Sequence, residues 1–280
     1  MEILLQLSQS GLFLLISVVM LLLSRSLFFI YEKWIDKEDT VLIADNIPEA
    51  IRRAGLFIGA AIALSAPLLN GSKGTFTNDL IITVSDAMAI LFLMLVTVIV
   101  NDKIYIAHLD NGDAICGGNA TVGFIESGAY IATGLVLYGS FVGSGPWLSS
   151  IVFFILTQSV LFLIMKLYAF QATFDLKQAI DENNLSAGIL IAGMFIGYGI
   201  LLSTAVRGDF TDWVHDMKDF FSTVAFAIVL IAIVFNSIID KLFFPKINMR
   251  EAIKNRNVPV AIITAAVKIS LAVIVAQLIV

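Results

Sequence analysis

The sequence predicts an all-α fold: a polytopic membrane helix bundle of eight transmembrane helices, built as four two-helix repeats in a nested duplication. Three observations lead to it. With 59% hydrophobic and 14% charged residues and a mean hydropathy of +0.95, the 280-residue chain is too apolar to close around one soluble core. Apolar runs of about 20 residues, enough to cross a hydrocarbon layer about 30 Å thick, fall at 9–31, 49–69, 80–100, 120–141, 147–168, 185–205, 220–239 and 258–280. An asparagine opens every second run, at Asn46, Asn119, Asn184 and Asn257.

Taken in order, the runs alternate in kind. The first, with FLLISVVMLLL, is bulky, whereas the second, NIPEAIRRAGLFIGAAIALS, opens on Asn46 and is rich in Gly and Ala. The third, AILFLMLVTVIV, is bulky again, and the fourth opens on Asn119 as NATVGF. IVFFILTQSVLFLIM forms the fifth and NLSAGILIAGMFIGYGILLS the sixth; after a seventh run, the eighth opens on Asn257 as NVPVAI. Each Asn is followed two places on by Pro48, Thr121, Ser186 or Pro259, and four places on by a small residue. Small residues four apart then recur in all copies: Gly55/Gly59, Gly128/Ala132, Gly193/Gly197 and Ala266/Ser270. Ahead of each Asn stands Val-Leu in the first copy and Ala-Ile in the other three.

Copies one and three share AG-x-FIG and a terminal Leu-Ser, while copies two and four share Asp-Lys, at Asp102-Lys103 and Asp240-Lys241. The chain therefore divides into halves 1–141 (repeats 1–71 and 72–141) and 142–280 (repeats 142–207 and 208–280). Two spans per unit make every copy enter the membrane in the same direction, related by rotation about the membrane normal.

Charge sets the orientation. Of the 17 Lys and Arg, Lys73, Arg207 and Lys218 lie at the far side and Lys268 within a span; the rest sit in or beside the connections that precede each Asn. The positive-inside bias puts those connections in the cytoplasm and both termini outside, on the periplasmic side of a bacterial inner membrane. MEILLQLSQSGLF has no basic residue ahead of its apolar run, so the first span is expected to be retained rather than cleaved.

One cysteine, Cys116, leaves no internal disulfide, and His108 and His215 are too far apart in sequence to suggest a metal cluster. No nucleophile elbow, phosphate loop or HExxH is present. The sequence thus predicts a protein that is not an enzyme, with no catalytic residues, cofactor, metal or nucleic-acid partner. Its environment is the lipid bilayer, and cytoplasmic or membrane protein partners and self-association are left open.

The Asn residues read first as helix N-caps, with Glu49 completing a capping box in the first copy. The alternative is a ring of four Asn and four helix N-termini at the cytoplasmic face, suited to an anion or lipid phosphate. NGS at 70, NAT at 119 and NLS at 184 also match the glycosylation pattern; the last two are better explained as caps. The small-residue pairs read as close-packing positions, with the Asn-led helices inside and the bulky ones towards lipid. They would equally serve a pore.

Charges inside spans are the candidates for function. Lys268 stands eleven residues past Asn257, roughly 16 Å into the membrane at 1.5 Å per residue, where Phe57, Tyr130 and Phe195 occupy the equivalent places. Glu126 lies a turn shallower, and Asp86 enters from the outer side; either is a partner for Lys268 in a static ion pair, an ion or proton pathway, or a hydrated cavity. Arg53 holds the repeat position of Glu126 and competes for that carboxylate, or snorkels with Arg52 to headgroups. The segment AVRGDFTDWVHDMKDFF reads as an acidic interfacial loop.

The Asn-led small-residue helix after a polar connection, in NIPEAIRRAGLFIGAAIALS and NLSAGILIAGMFIGYGILLS, resembles the YjfL-like family of bacterial inner-membrane proteins, a domain of unknown function. The resemblance runs over the whole chain as successive copies, with AAVKIS around Lys268 departing from the Gly-rich pattern. It implies no biochemical activity. By the association of relatives with membrane-stress proteins, it implies a non-enzymatic module that binds partners during envelope stress. An ion, proton or small-solute channel or transporter, with its pathway between the four small-residue helices, is the alternative.

Overall fold

A computed structural model describes residues 2–35, 46–70, 75–104, 109–171, 175–230 and 245–279, and among them finds helices and no strand. Among the described residues, seven helices are long and apolar enough to span a membrane, and they match seven of the expected runs. The remaining run, 220–239, begins within a helix over Trp213–Leu230 and continues into residues that lie outside the described set.

Four long bulky helices, α1 (Glu2–Ile35), α4 (Phe76–Ile104), α7 (Trp147–Gln171) and α10 (Trp213–Leu230), alternate with four Asn-led ones: α2 (Ile47–Leu64), α6 (Ala120–Phe141), α9 (Leu185–Thr204) and α12 (Val258–Ile279). The second span breaks at Ser65, and a short α3 (Ala66–Leu69) restarts with Pro67 in its first turn, where a missing N–H costs nothing. Three further helices of six residues, α5 (Asn111–Cys116), α8 (Leu176–Asp181) and α11 (Met249–Lys254), each precede an Asn-led helix. The sequence pattern showed only polar connections there, since one and a half turns are too short for a periodic signal.

The main packing runs in series: α2 on α6, α6 on α9, α9 on α12. No comparable packing joins α2 to α12 among the described residues, so the Asn-led helices form an open row and not the ring of the alternative reading. The bulky helices pack along this row, α1 and α4 on α2, α4 and α7 on α6, and α7 and α10 on α9.

Glycine makes the row possible. A Cβ on Gly128 would lie under 3.0 Å from the Ala192 backbone, one on Gly134 from Gly59, and one on Gly199 from Ala132. In a bilayer, where lipid tails are as apolar as leucine, such backbone approach supplies the van der Waals contact that holds helices together. Because Gly123 meets Pro48 near the Asn end and Gly134 meets Gly59 farther along, α2 and α6 run parallel.

The expected packing positions Gly55, Gly59, Gly128, Ala132, Gly193 and Gly197 are all buried. Ala266 and Ser270 are exposed, which corrects the fourth pair: α12 turns Ala261, Ala265, Lys268 and Ala272 inward, and the face bearing Ala266 and Ser270 meets no helix of the row among the described residues.

Candidate functional site

The end of the molecule that carries the Asn residues is built from one repeated joint. Each six-residue helix closes in a Schellman motif: Asn119 N donates to Ala114 O and Gly118 N to Ile115 O, and the same pair of bonds recurs at Asn184/Asn183 and Asn257/Arg256. The residue just ahead of these three Asn takes the left-handed conformation this motif needs, with φ of +86° at Gly118, +52° at Asn183 and +56° at Arg256. The Ala-Ile pairs of the sequence are the carbonyl acceptors of these bonds.

Each Asn caps its helix, and the first three also cross to the next copy. Its Oδ1 caps its own helix, accepting from Glu49 N at 2.9 Å for Asn46, Val122 N at 3.2 Å for Asn119, Ser186 N at 3.2 Å for Asn184 and Val260 N at 3.2 Å for Asn257. Its Nδ2 reaches the next copy: Asn46 donates to the Ile115 carbonyl at 3.0 Å, Asn119 to that of Ile180 at 2.8 Å, and Asn184 to that of Ile253 at 2.8 Å. Contacts also run back along the row. Asn183 Nδ2 donates to Gly118 O at 3.2 Å, and Arg256 Nη2 to Glu182 O at 3.1 Å. The caps are therefore an inter-helix ladder as well, a role the cap pattern alone did not reveal.

Beneath the ladder sits a buried charge cluster. Arg52 Nη2 pairs with Glu49 at 2.7 Å, and Arg52 Nη1 lies 3.8 Å from Glu126 on α6, with 4% of Glu126 exposed. The Arg52 guanidinium also lies 5.4 Å from the Phe28 ring centroid on α1, within cation–π range. Arg53, for which competition for Glu126 and snorkelling to headgroups are the two readings, reaches Glu49 on its own helix. Helical geometry explains the exchange: Arg52 shares the face of Gly55 and Gly59 that meets α6, and Arg53 is turned from it by about 100°.

Asp86 belongs to the opposite end. It accepts from Trp147 Nε1 at 3.0 Å and lines a cavity of about 400 Å³ with Ser140, Arg207 and Asp209. Ser140 closes α6 fourteen residues past Glu126, a separation of about 21 Å along the helix. Asp86 and Glu126 thus do not form one site. Lys268 is the eleventh of the 22 residues of α12, 4% exposed, on the face packed against α9, where Tyr130 and Phe195 fill the equivalent places in their helices.

Bonds between loops cross-link the rim of the cavity. Asn70 Oδ1 accepts from Gly143 N at 2.7 Å, Asp209 Oδ1 accepts from Ser144 N and Oγ at 2.6 Å each, and Phe210 N donates to Ser144 O at 2.7 Å. The acidic segment is a structured joint here, with Asp212 capping α10 through Val214 N and His215 N. His215 lies 3.2 Å from Asp219, both well exposed.

Comparison with known proteins agrees with a multi-pass membrane chain. A UPF0719 transmembrane protein from Aquifex aeolicus (strain VF5) is 22% identical over 227 residues, covering 79% of this chain and 81% of that protein. No solved structure matches. The family model described as Domain of Unknown Function (DUF350) matches twice, at residues 2–141 and 143–279. Two consecutive matches take in nearly every residue of the row and its ladder, and the chain belongs to the DUF350 family.

Proposed function

We propose that this protein is a non-enzymatic membrane module that holds a rigid polar surface at one face of the bilayer for protein partners. One observation supports the reading: α5, α8 and α11 repeat along the row, each anchored by a buried isoleucine, Ile115, Ile180 or Ile253, and each presenting charge outward, as with Asp113, Lys177 and Lys254. The ladder of Asn amides fixes the spacing between them. Preorganisation of this kind lowers the entropy cost of docking.

The excess of Lys and Arg at this end favours the cytoplasmic face of a bacterial inner membrane, with both termini on the other side. The narrower YjfL-like grouping and a part in envelope stress rest on the motif resemblance. A photo-crosslinking residue at Lys177 is expected to give a discrete protein adduct in cells, lost when Lys254 is reversed to Glu. Adducts with lipid alone would overturn the reading.

A second reading is favoured by the cavity at Asp86, whose size suits a small solute. In an ion, proton or small-solute pathway, flux through liposomes would change with Asp86→Asn or Lys268→Ala. A silent assay would sink it.

A further inference from the structure

The contacts inside the row obey one register. Counted from the Asn of each helix, the ninth residue meets the eighth of the next helix: Gly55 on Ser127, Gly128 on Ala192, Gly193 on Ala265. The fifteenth meets the thirteenth of the helix before it, as Gly134 on Gly59 and Gly199 on Ala132. Every Asn-led helix therefore has a forward face and a backward face, and an open row leaves one of each unused.

The α12 forward face is exposed, and the α2 backward face is exposed at Ala54 and Ala61 and half-buried at Ala50; at their central positions both keep the small residues of the buried faces. On α6 the forward positions Thr121, Gly128, Ala132 and Gly139 are buried; on α12 the same positions, Pro259, Ala266, Ser270 and Gln277, are exposed. Ile262, Ile263, Val273 and Ile274 beside them are large apolar side chains of the kind lipid favours, so the small Ala266 and Ser270 stand out in register and not by composition. On α2 the backward positions Ala54 and Ala61 are exposed, while their α9 counterparts Ala192 and Gly199 are buried. Asn257 is exposed too: its Oδ1 caps α12, but its amide has no acceptor among the described residues, where the three earlier Asn amides cross to the next copy.

We propose that a second copy of this chain docks head to tail, its α2 backward face on the α12 forward face of the first, continuing the row. Ala266 then meets Ala54, in the register of all three internal interfaces, and Ser270 meets Ala61 and Pro259 meets Ala50, in the register of the first two, where Gly123 meets Pro48 and Gly188 meets Thr121. The match is possible in one membrane because the row helices run parallel, so two copies inserted the same way present these faces in the same sense. Such a contact is heterologous: it closes as a ring if the per-copy rotation allows and extends as a row if not.

Cysteine cross-linking in intact membranes tests this. In a Cys116→Ser background, one tagged form carries Ala54→Cys and a second, differently tagged, carries Ala266→Cys. Co-expression followed by oxidation is expected to give a dimer carrying both tags, and each form alone to stay a monomer. Ala266→Cys paired with Phe92→Cys, on the lipid-exposed side of α4, is expected to give none. Absence of the mixed dimer overturns the proposal, as does a dimer from Ala266→Cys alone, which would mean a two-fold α12 pair. Because exposed alanines are replaced, monomer yield and melting should match the parent. A failed partner assay at Lys177 would leave this result untouched.

Discussion

Asn184 makes two bonds that a pair of substitutions can separate. Serine is as good a cap as asparagine but has no amide to send to Ile253, so Asn184→Ser removes one inter-copy hydrogen bond, worth about 1 kcal/mol net. Asn184→Ala removes the cap as well, and the combined loss is about 2 kcal/mol. At Asn257 in dispersed monomer, Asn257→Ala loses only the cap and Asn257→Ser is close to neutral. Thermal melting of detergent-solubilised protein followed by circular dichroism ranks the four variants; equal losses at both sites would show that the ladder carries no energy. Gly118 offers a cleaner case, because a Cβ there meets nothing within 4 Å and its φ of +86° is the whole difficulty. Gly118→Ala is expected to cost about 1 kcal/mol in the same melt, and Gly118→Asn less, since Asn183 holds the same conformation one repeat later.

Among elements, the α2–α6 contact depends on a missing side chain and on one arginine. Gly134→Val would drive a branched side chain into the Gly59 backbone and separate the two helices, whereas Gly11→Ala on α1, with nothing within 4 Å, should leave melting unchanged. Overpacking of this kind costs about 1–3 kcal/mol; a Gly134 variant as stable as the Gly11 control would show that the close approach is dispensable. Arg52→Met should destabilise more than Arg53→Met, because Arg52 connects α2 to Glu126 on α6 and to Phe28 on α1. Removing it from a buried carboxylate is the expensive kind of change. The small-xxx-small positions are buried in three copies, since that spacing puts both residues on one face of a helix. The sequence misassigned Ala266 and Ser270 because a repeat states which face is sticky, not whether a neighbour follows. Arg53 was preferred to Arg52 by alignment to Glu126, although a face is set by angle around the helix and not by equivalence in the repeat. The Ala-Ile pairs were visible, but their use as carbonyl acceptors depends on a left-handed residue that no side-chain pattern announces when Gly, Asn and Arg all fill it.

At the scale of the molecule, closure was the feature that could not be read. Four similar helices satisfy a ring and a row with the same local contacts; the difference lies in small rotations between neighbours that add along the series. The row has a consequence for how the halves cohere. Residues 1–141 and 142–280 meet along α6 and α9 through Gly128 on Ala192, Gly199 on Ala132 and Gly139 on Ser203, and by the Asn119 amide on Ile180. That is the same register used between α2 and α6 inside the first half, so covalent linkage through Val142–Pro146 is not what creates the interface. Co-expressed as separate chains, the halves should insert and co-purify through a tag on either one. Gly128→Leu, which places a large side chain against the Ala192 backbone, should abolish recovery of the partner half while leaving the first half inserted, because Gly128 faces away from α2. Halves that fail to associate without the substitution would show that the row needs the covalent link through residues 142–146 to hold the halves together. Halves that associate equally well with it would show that the row holds by its bulky outer helices and not by backbone approach along the small-residue faces.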